Sequence, residues 1–412
     1  MELLRRFAMK GVEEALADSP VILLHGPRQC GKSTLARMIA SEKGYTYITF
    51  DDEVQREAAR NDPTGFVLNL PEHVIIDEVQ RVSEIFFPLK SEIDRERMPG
   101  RFILTGSTNI LLLPDLSDSL AGRMEILRLH PLSQDELLQR PSQFLDQVFS
   151  ADFTLSVRCD RLGSGLAERI VSGGFPAAID RLSYHRKHAW YRNFVETIVQ
   201  RDVRALARIS SPDALPRLLR LAAGQTAHLV NISEMASAFH LSRPTIQDYV
   251  TLLERIFLIE HLSPWHVNHL RRLIKTPKLH VTDTGLASSL LGATVDTLQR
   301  DRVLYGQLLE TFVFQELQRQ ASWYEAPISF SHFRTKDGAE VDIIMEQGYA
   351  SVVGIEVKAA ASVAARDFRG LKKLEAANGD RFVAGVILYD GEQIAAFGER
   401  LFAVPIRMLW EM

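Results

Sequence analysis

The stretch VILLHGPRQCGKSTLARMIA, residues 21–40, decides the fold of the first part of the chain. A short apolar run leads into a loop with the spacing GxxxxGK[ST], and a helical pattern begins directly after it. In such a loop the glycines let backbone amides surround phosphate oxygens, the lysine reaches the β- and γ-phosphates, and the serine hydroxyl ligates Mg²⁺. The sequence therefore predicts a buried strand, an ATP-binding loop and a helix. The predicted nucleotide contacts come from Gly26, Pro27, Arg28, Gln29, Cys30, Gly31, Lys32, Ser33 and Thr34.

Two acids and one arginine extend this predicted site. HVIIDEVQ, residues 73–80, is an apolar run that ends in Asp77 and Glu78. Ligands bind at the carboxyl ends of strands in open α/β sheets, so we expect Asp77 to hold the Mg²⁺ and Glu78 to polarise the attacking water. In SLAGRMEIL, residues 119–127, Arg123 either completes the site of a neighbouring subunit in a homo-oligomer or caps the end of a helix.

A third apolar run also ends in polar residues. RFILTGSTN, residues 101–109, predicts a strand whose tip reaches the same edge of the sheet. We expect Thr108 or Asn109 to contact the γ-phosphate there. Thr105 and Ser107 are alternatives for this role.

These segments together resemble the AAA-type P-loop ATPases of bacteria and archaea. The resemblance is carried by residues 21–40, DEVQ at 77–80, RFILTGST at 101–108, LAGR at 120–123 and LHPLSQDEL at 129–137. It implies a five-stranded parallel sheet between helices over residues 1–135 and a helical lid over residues 136–210. It also implies that the nucleotide binds between sheet and lid.

The composition limits the remaining possibilities. The chain has 412 residues, 46% of them apolar and 24% charged, which predicts two or three globular domains. Its net charge of −4 means that any nucleic acid must bind through local basic surface. The two cysteines, Cys30 and Cys159, are too few for a disulfide framework and favour a reducing compartment. Because no apolar run is long enough to span a membrane, we expect a cytoplasmic protein without a membrane partner.

Residues 229–265 carry the pattern of a helix-turn-helix. Ser233 is expected to start a short helix, and Ser242 with Pro244 opens a second helix with apolar residues at helical spacing. The sequence thus predicts a winged helix-turn-helix domain over residues 211–280. Its second helix would contact DNA through three outward-facing residues, Arg243, Thr245 and Gln247. Winged helices also dock proteins, and Asp248 would repel phosphate, so both kinds of partner stay open.

The last third of the chain predicts a second acidic site. In GIEVKAA, residues 354–360, Glu356 and Lys358 share one face of a strand. Asp342 lies in the preceding strand and can face Glu356 across a hairpin, while Glu310 can reach in from a helix. We expect the three acids to hold a second Mg²⁺ or Mn²⁺, and Lys358 to orient or deprotonate a metal-bound water.

This pattern, D-x13-ExK with an upstream helical glutamate, resembles the PD-(D/E)xK nuclease superfamily. The preceding KTPKLHVTDTGLASSLLG, residues 275–292, resembles the C-terminal domain that accompanies the ATPases named above. The resemblance implies a nuclease-like α/β domain over residues 281–412 with Glu356 and Lys358 as catalytic residues. A fold that is retained only for binding is the alternative.

The sequence as a whole predicts an α/β multidomain protein: a P-loop parallel sheet with a helical lid, a winged helix-turn-helix connector and a PD-(D/E)xK nuclease-like domain. The first functional hypothesis is an ATPase whose nucleotide state controls Mg²⁺-dependent DNA cleavage. The second is a nucleotide-controlled switch or assembly scaffold that binds DNA or protein without cleaving it.

Overall fold

A computed structural model describes residues 4–107, 120, 122–155, 157–198, 214–266 and 276–412. The chain divides into two compact units. Unit 1 comprises Met1–Leu132 and Glu254–Phe257, and unit 2 comprises Ser133–Leu253 and Leu258–Met412. The finer division into four domains remains a prediction. Among the helices in the described ranges, none combines the length and the apolar character needed to cross a membrane.

Unit 1 is built on a five-stranded sheet. Its strands are β1 (Val21–His25), β2 (Thr46–Thr49), β3 (Val74–Asp77), β4 (Phe102–Gly106) and β5 (Met124–Arg128). Its helices are α1 (Met9–Asp18), α2 (Lys32–Lys43), α3 (Glu53–Asn61), α4 (Pro63–Leu68) and α5 (Phe86–Arg95). The strand order is β2-β3-β4-β1-β5, and every neighbouring pair is parallel. The predicted α/β fold with a parallel sheet is therefore confirmed.

The alternation of side chains along β1 explains why both faces of this sheet are covered. Val21 and Leu23 lie in the apolar core on one face, whereas Ile22 and Leu24 lie in the core on the other. A strand that is buried on both faces has a continuous apolar sequence, and such strands are typical of parallel sheets. The carboxyl ends of β1, β3 and β4 consequently meet at one edge, where their polar tips lie close together.

Unit 1 is completed by a short segment from much later in the chain, Glu254–Phe257. The Phe257 ring packs edge-on against His25, with 5.4 Å between ring centroids. Burial, together with the positive charges of Arg128 and Lys32, lowers the pKa of His25 to about 4. His25 is therefore a neutral packing residue near pH 7.

Among the described residues, unit 2 contains two sheets and most of the helices. The first group of helices is α6 (Gln134–Leu138), α7 (Phe144–Ser150), α8 (Ser164–Ser172), α9 (Pro176–Ile179), α10 (Tyr184–Ile198), α11 (Ala214–Gly224), α12 (Ile232–Phe239) and α13 (Arg243–Arg255). The later helices are α14 (Thr284–Leu291), α15 (Val295–Arg300), α16 (Arg302–Ala321), α17 (Arg369–Asn378) and α18 (Met408–Glu411). The strands are β6 (His228–Leu229), β7 (Ile259–Leu262), β8 (Lys278–Val281), β9 (Ile328–Arg334), β10 (Glu340–Gln347), β11 (Ser351–Lys358), β12 (Phe382–Tyr389), β13 (Ala395–Ala396) and β14 (Leu401–Pro405).

The larger sheet of unit 2 is mixed and has the order β13-β14-β12-β11-β10-β9. Strands β11, β12 and β14 run parallel, while the pairs β9/β10, β10/β11 and β13/β14 are antiparallel. Helix α17 packs closely on it, since a Cβ atom on Gly354 would lie 2.6 Å from a methyl carbon of Leu371. The smaller sheet has the order β6-β8-β7 and is antiparallel.

Helix α6 is anchored in unit 2 by polar contacts. Ser133 and Glu136 form a capping box at its start. The Gln134 backbone N–H donates to Glu316 Oε2 at 2.7 Å, and Gln320 Nε2 on α16 donates to Asp135 Oδ1 at 3.2 Å. Burial and the neighbouring Glu316 carboxylate raise the pKa of Asp135 to about 8. This helix therefore carries an acid that stays protonated at neutral pH in the folded protein.

Candidate functional site

The loop between β1 and α2 has the backbone shape expected of a phosphate-binding loop. Gly26 has φ 151° and Gly31 has φ 107°, values that residues with a Cβ atom rarely adopt. At Gly26 a Cβ atom would lie 2.1 Å from the Leu129 carbonyl oxygen, so only glycine fits. Gly31 is the residue before α2, whose free N–H groups and positive dipole end attract anions.

Lys32 points back into this loop. Its Nζ atom donates hydrogen bonds to the carbonyl oxygens of Gly26 at 2.9 Å and Pro27 at 2.8 Å. The residue is only 4% exposed, so the ammonium is held inside the loop by the backbone. A phosphate group entering the loop would offer this ammonium stronger, charged acceptors than the two carbonyls.

Ser33 and Asp77 form the second part of the site. Ser33 Oγ lies 3.0 Å from both carboxylate oxygens of Asp77. Asp77 also accepts hydrogen bonds from Tyr47 Oη at 2.7 Å and from Thr105 Oγ1. A hydroxyl and a carboxylate in contact are the oxygen donors that Mg²⁺ prefers, so the residues present fit this ion. Sequence reasoning missed the contribution of Tyr47, which lies on the edge strand β2 outside any motif.

Glu78 follows directly and adopts a left-handed backbone conformation with φ 58°. Its backbone N–H donates to Thr105 Oγ1, with 3.2 Å between the nitrogen and the oxygen. Its carboxylate Oε2 accepts hydrogen bonds from Gln80 Nε2 at 2.5 Å and Ser107 Oγ at 3.2 Å. Burial and the Asp77 charge raise the pKa of Glu78, which the Lys32 ammonium partly offsets. A carboxylate with a raised pKa is suited to accept a proton from water.

Of the four residues expected to contact the γ-phosphate, the structure describes two. Thr108 and Asn109 lie outside the described residues. Of the two alternatives, Thr105 contacts Asp77, and Ser107 contacts Glu78. Both hydroxyls therefore contact the acidic residues of the site.

Arg123 forms an ion pair within unit 1. Its Nε lies 2.6 Å from Asp94 Oδ1, and its Nη2 lies 3.0 Å from Asp94 Oδ2. The hydrogen bonds to Asp94 raise the pKa of Arg123. A role in a neighbouring subunit would require Arg123 to leave Asp94, and that role remains a prediction.

The predicted DNA-contacting residues lie at the start of α13. Its buried face is formed by Ile246, Tyr249, Val250, Leu252 and Leu253, and this leaves Arg243 and Gln247 exposed and Thr245 half-buried. Ser242 caps the helix, as predicted, by accepting from the Thr245 N–H at 3.3 Å. The start predicted for α12 was wrong. Asn231, not Ser233, is its capping residue, because the Asn231 side chain accepts from the Glu234 N–H at 3.2 Å.

The acids predicted in the last third of the chain do come together, but around a lysine. Lys278 Nζ on β8 lies 2.8 Å from Glu310 Oε1, 3.1 Å from Glu340 Oε1 and 3.3 Å from Asp342 Oδ1. The other oxygen of Asp342 accepts from the Val357 N–H at 3.0 Å. We call Lys278, Glu310, Glu340 and Asp342, with Glu356 and Lys358 beside them, the acidic cluster.

Glu356 and Lys358 pair with each other at 3.0 Å. Burial and the Asp342 charge raise the pKa of Glu356 to about 8, and they raise the pKa of Glu310 well above its usual range as well. Within the described part of the chain, no His, Cys, Asp and Glu side chains are grouped as they would be around a metal ion. The expected second metal site is therefore not supported. Its place is taken by the Lys278 ammonium, which supplies the positive charge that the carboxylates need. The sequence had given no reason to single out Lys278 or Glu340.

Parts of the chain match known protein families. Residues 18–138 match a family described as an AAA domain. Residues 163–297 and 305–409 match two domains of unknown function, DUF8612 and DUF4143. The AAA match supports an AAA-type, P-loop ATPase domain, as the sequence predicted. The nuclease-like resemblance of the last part is not shown by these matches.

Two mycobacterial relatives are similar over nearly the whole chain, and a third relative is similar over part of it. Uncharacterized proteins of Mycobacterium bovis and Mycobacterium tuberculosis are each 29% identical over 407 residues, covering 97% of this chain and 83% of theirs. An uncharacterized protein of Haemophilus influenzae is 24% identical over 261 residues, covering 60% of this chain and 58% of its own.

Two solved structures are similar in part. A Walker-type ATPase of Pyrococcus abyssi aligns with a TM-score of 0.42 and 16% identity, covering 69% of this chain and 94% of that one. The RuvB Holliday junction branch migration motor of Thermotoga maritima aligns with a TM-score of 0.28 and 19% identity, covering 61% and 88%.

Proposed function

We propose that this protein binds ATP with Mg²⁺ at residues 26–34 and hydrolyses it, and that the nucleotide state controls what unit 2 binds. The observation that carries the proposal is the contact of Ser33 with both oxygens of Asp77, at 3.0 Å, beside the buried ammonium of Lys32. The match of residues 18–138 to an AAA domain supports it.

Each residue has a separate task in this proposal. Lys32 exchanges its two carbonyl acceptors for oxygens of the β- and γ-phosphates. Ser33 and Asp77 would hold a Mg²⁺, and this ion would supply positive charge to the phosphates. Glu78 accepts a hydrogen bond from the attacking water and orients it, with Gln80 and Ser107 fixing its carboxylate.

ATP hydrolysis by purified full-length variants tests the proposal. Lys32→Ala is expected to abolish most turnover, and Glu78→Gln to slow turnover while ATP still binds. Lys43→Ala is a matched control on the same helix, since Lys43 is exposed and forms an ion pair with Glu13 at 3.1 Å, away from the loop motif. Turnover of Lys32→Ala close to that of the wild type would refute the assigned site.

A second candidate function is action on DNA by unit 2. The element order α11, β6, α12, α13, β7, β8 with the sheet β6-β8-β7 is typical of a winged helix, whose recognition helix, here α13, enters the major groove. A groove of about 600 Å³ supports an anionic partner, since the described residues that line it include His266, Arg334 and Lys336 and no acidic residue. Nuclease chemistry would need the acidic cluster as well.

The acidic cluster can take part in cleavage only if a metal ion competes with Lys278. One oxygen of Glu356, Oε2, is buried without a hydrogen-bond partner, so it is available as a ligand. Together with Asp342 and Glu310 it would hold Mg²⁺, while Lys358 would bind the water that the ion activates. The switch or scaffold alternative needs no metal and retains the ion pairs described above.

Incubation with plasmid DNA separates the two possibilities. If unit 2 is a nuclease, the wild type nicks or linearises the plasmid with Mg²⁺ and ATP, and Glu356→Gln does not. Glu399→Gln, at an exposed position, is the control. Absence of cleavage combined with DNA or protein binding that survives Lys358→Ala would establish the switch. Sedimentation in ADP and in an ATP analogue then measures whether assembly follows the nucleotide.

A further inference from the structure

We propose that Arg6 is a positioning residue of the phosphate-binding loop, which fixes the peptide between Cys30 and Gly31 for nucleotide binding. The inference rests on the proposed ATP site and adds a residue that lies outside the GxxxxGK[ST] motif. Arg6 precedes α1 in the chain and is 7% exposed. It is therefore a buried cation next to a loop that is expected to bind an anion.

Hydrogen bonds hold the Arg6 guanidinium between the loop and the segment after β5. Nη1 donates to the Cys30 carbonyl oxygen and Nη2 donates to the His130 carbonyl oxygen, each at 2.7 Å. A Cβ atom on Gly31 would lie 3.2 Å from Nη1, which shows how closely the guanidinium approaches the loop backbone. Hydrogen bonds from a charged donor at this length are strong ones.

The bond to Cys30 determines the direction of the next amide. A trans peptide is planar, so its C=O and N–H groups point in opposite directions. Because Arg6 holds the Cys30 carbonyl, the N–H of Gly31 points away from Arg6. Gly31 lies at the start of α2, where backbone N–H groups bind phosphate oxygens in loops of this kind. Arg6 thereby orients the Gly31 N–H, which would donate to the nucleotide, although Arg6 itself does not touch the nucleotide.

The bond to His130 ties the loop to the segment that follows β5. The neighbouring Leu129 carbonyl accepts from Cys30 Sγ at 3.3 Å and lies against Gly26 at the other end of the loop. The segment thus contacts both ends of the loop, and Arg6 bridges the two. Lysine cannot replace Arg6 fully, because a single ammonium lacks the planar fork that reaches two carbonyls at once.

Steady-state ATP hydrolysis and calorimetric ADP binding by Arg6→Ala and Arg6→Lys test this inference. We expect KM for ATP and Kd for ADP to rise ~10-fold or more in both variants, with kcat changed less than about threefold. Arg5→Ala, at the exposed neighbouring position, is the matched control. Added guanidinium chloride at millimolar concentration should lower the KM of Arg6→Ala but not that of the wild type, since the free ion can occupy the vacated site.

The outcomes distinguish this inference from the proposed function. If the wild type takes up no adenine nucleotide, the proposed function fails. If the wild type binds ADP and Arg6→Ala binds it equally well, only the inference on Arg6 is overturned. A fall in kcat at constant KM, or no response to guanidinium, would also overturn it. Should Arg6→Ala fail to fold, Arg6→Lys gives the same KM comparison.

Discussion

Lys278→Met is expected to destabilise unit 2 by about 3–5 kcal/mol near neutral pH. The side chain of Lys278 is 3% exposed, and its ammonium lies within 3.3 Å of three carboxylates. Methionine has a similar volume, so the packing of the side-chain stem is largely kept and the change removes the charge. The carboxylates of Glu310, Glu340 and Asp342 are then left close together in a partly buried site without their cation.

The pH dependence of this loss follows from the pKa shifts. Burial opposes the charged form of Lys278, but the charges of Asp342, Glu310 and Glu340 outweigh burial and raise its pKa above the usual value. A lysine whose pKa is higher in the folded than in the unfolded chain stabilises the fold at every pH below its unfolded pKa. This stabilisation is lost only as the pH rises through the folded pKa. The pKa of Glu310 is also raised, so at low pH this acid is neutral and needs no cation. We therefore expect the variant to differ most from the wild type near pH 7.5 and least near pH 4.5.

Tryptophan fluorescence in a urea titration measures the loss in unit 2 alone. All four tryptophans of the chain belong to unit 2: Trp190, Trp265, Trp323 and Trp410. Lys372→Met, an exposed position on α17, is the control. Adding MnCl₂ should restore stability to Lys278→Met if a metal ion can replace the ammonium, and EDTA should reverse this effect. A Lys278→Met variant within about 0.5 kcal/mol of the wild type at pH 7.5 would refute the role given to the ammonium.

Three further changes test other parts of the structure. Gly26→Ala is expected to abolish ATP binding in calorimetry, because the new Cβ atom would lie 2.1 Å from the Leu129 carbonyl oxygen. Folded Asp135 keeps a proton that the unfolded chain releases, so this acid alone should lower the stability of unit 2 by about 1.4 kcal/mol per pH unit between pH 5 and 8. Asp135→Asn should flatten that slope in urea titrations, and an unchanged slope would contradict the pKa assigned to this acid. Arg123→Ala should slow ATP hydrolysis without changing the melting temperature, and mixing it with Lys32→Ala should restore turnover if Arg123 acts in a neighbouring subunit. Failure of the mixture to recover would leave Arg123 as a surface ion-pair partner.

The fold of unit 1 could be predicted because its signals are local. A strand, a glycine loop and a helix follow one another within residues 21–40, and their order fixes the geometry. The sequence also predicted that Ser33 and Asp77 lie close together, since parallel strands bring their carboxyl ends to one edge of the sheet. Tyr47 could not be predicted, because a single tyrosine on an edge strand carries no pattern that points at Asp77.

In the acidic cluster the sequence predicted the acids but not the lysine that they contact. The spacing of Asp342 and Glu356 predicted that they would face one another, and both lie in the cluster. Lys278 contacts Glu310 and Asp342, which are 32 and 64 residues away in the chain, and no periodicity links them. Tertiary packing determines which cation binds a group of carboxylates. The pattern of acids in the sequence therefore could not predict whether this cation is an ammonium or a metal ion.

The return of the chain to unit 1 at Glu254–Phe257 has a practical consequence for dissecting the protein. A polypeptide that stops at residue 132 would lack the Phe257 ring that covers His25, directly before the glycine loop. A polypeptide that starts at residue 133 would keep those four residues without the surface they cover. Neither half can be released intact by a single cut, so limited proteolysis should give fragments that stay associated until denaturant is added.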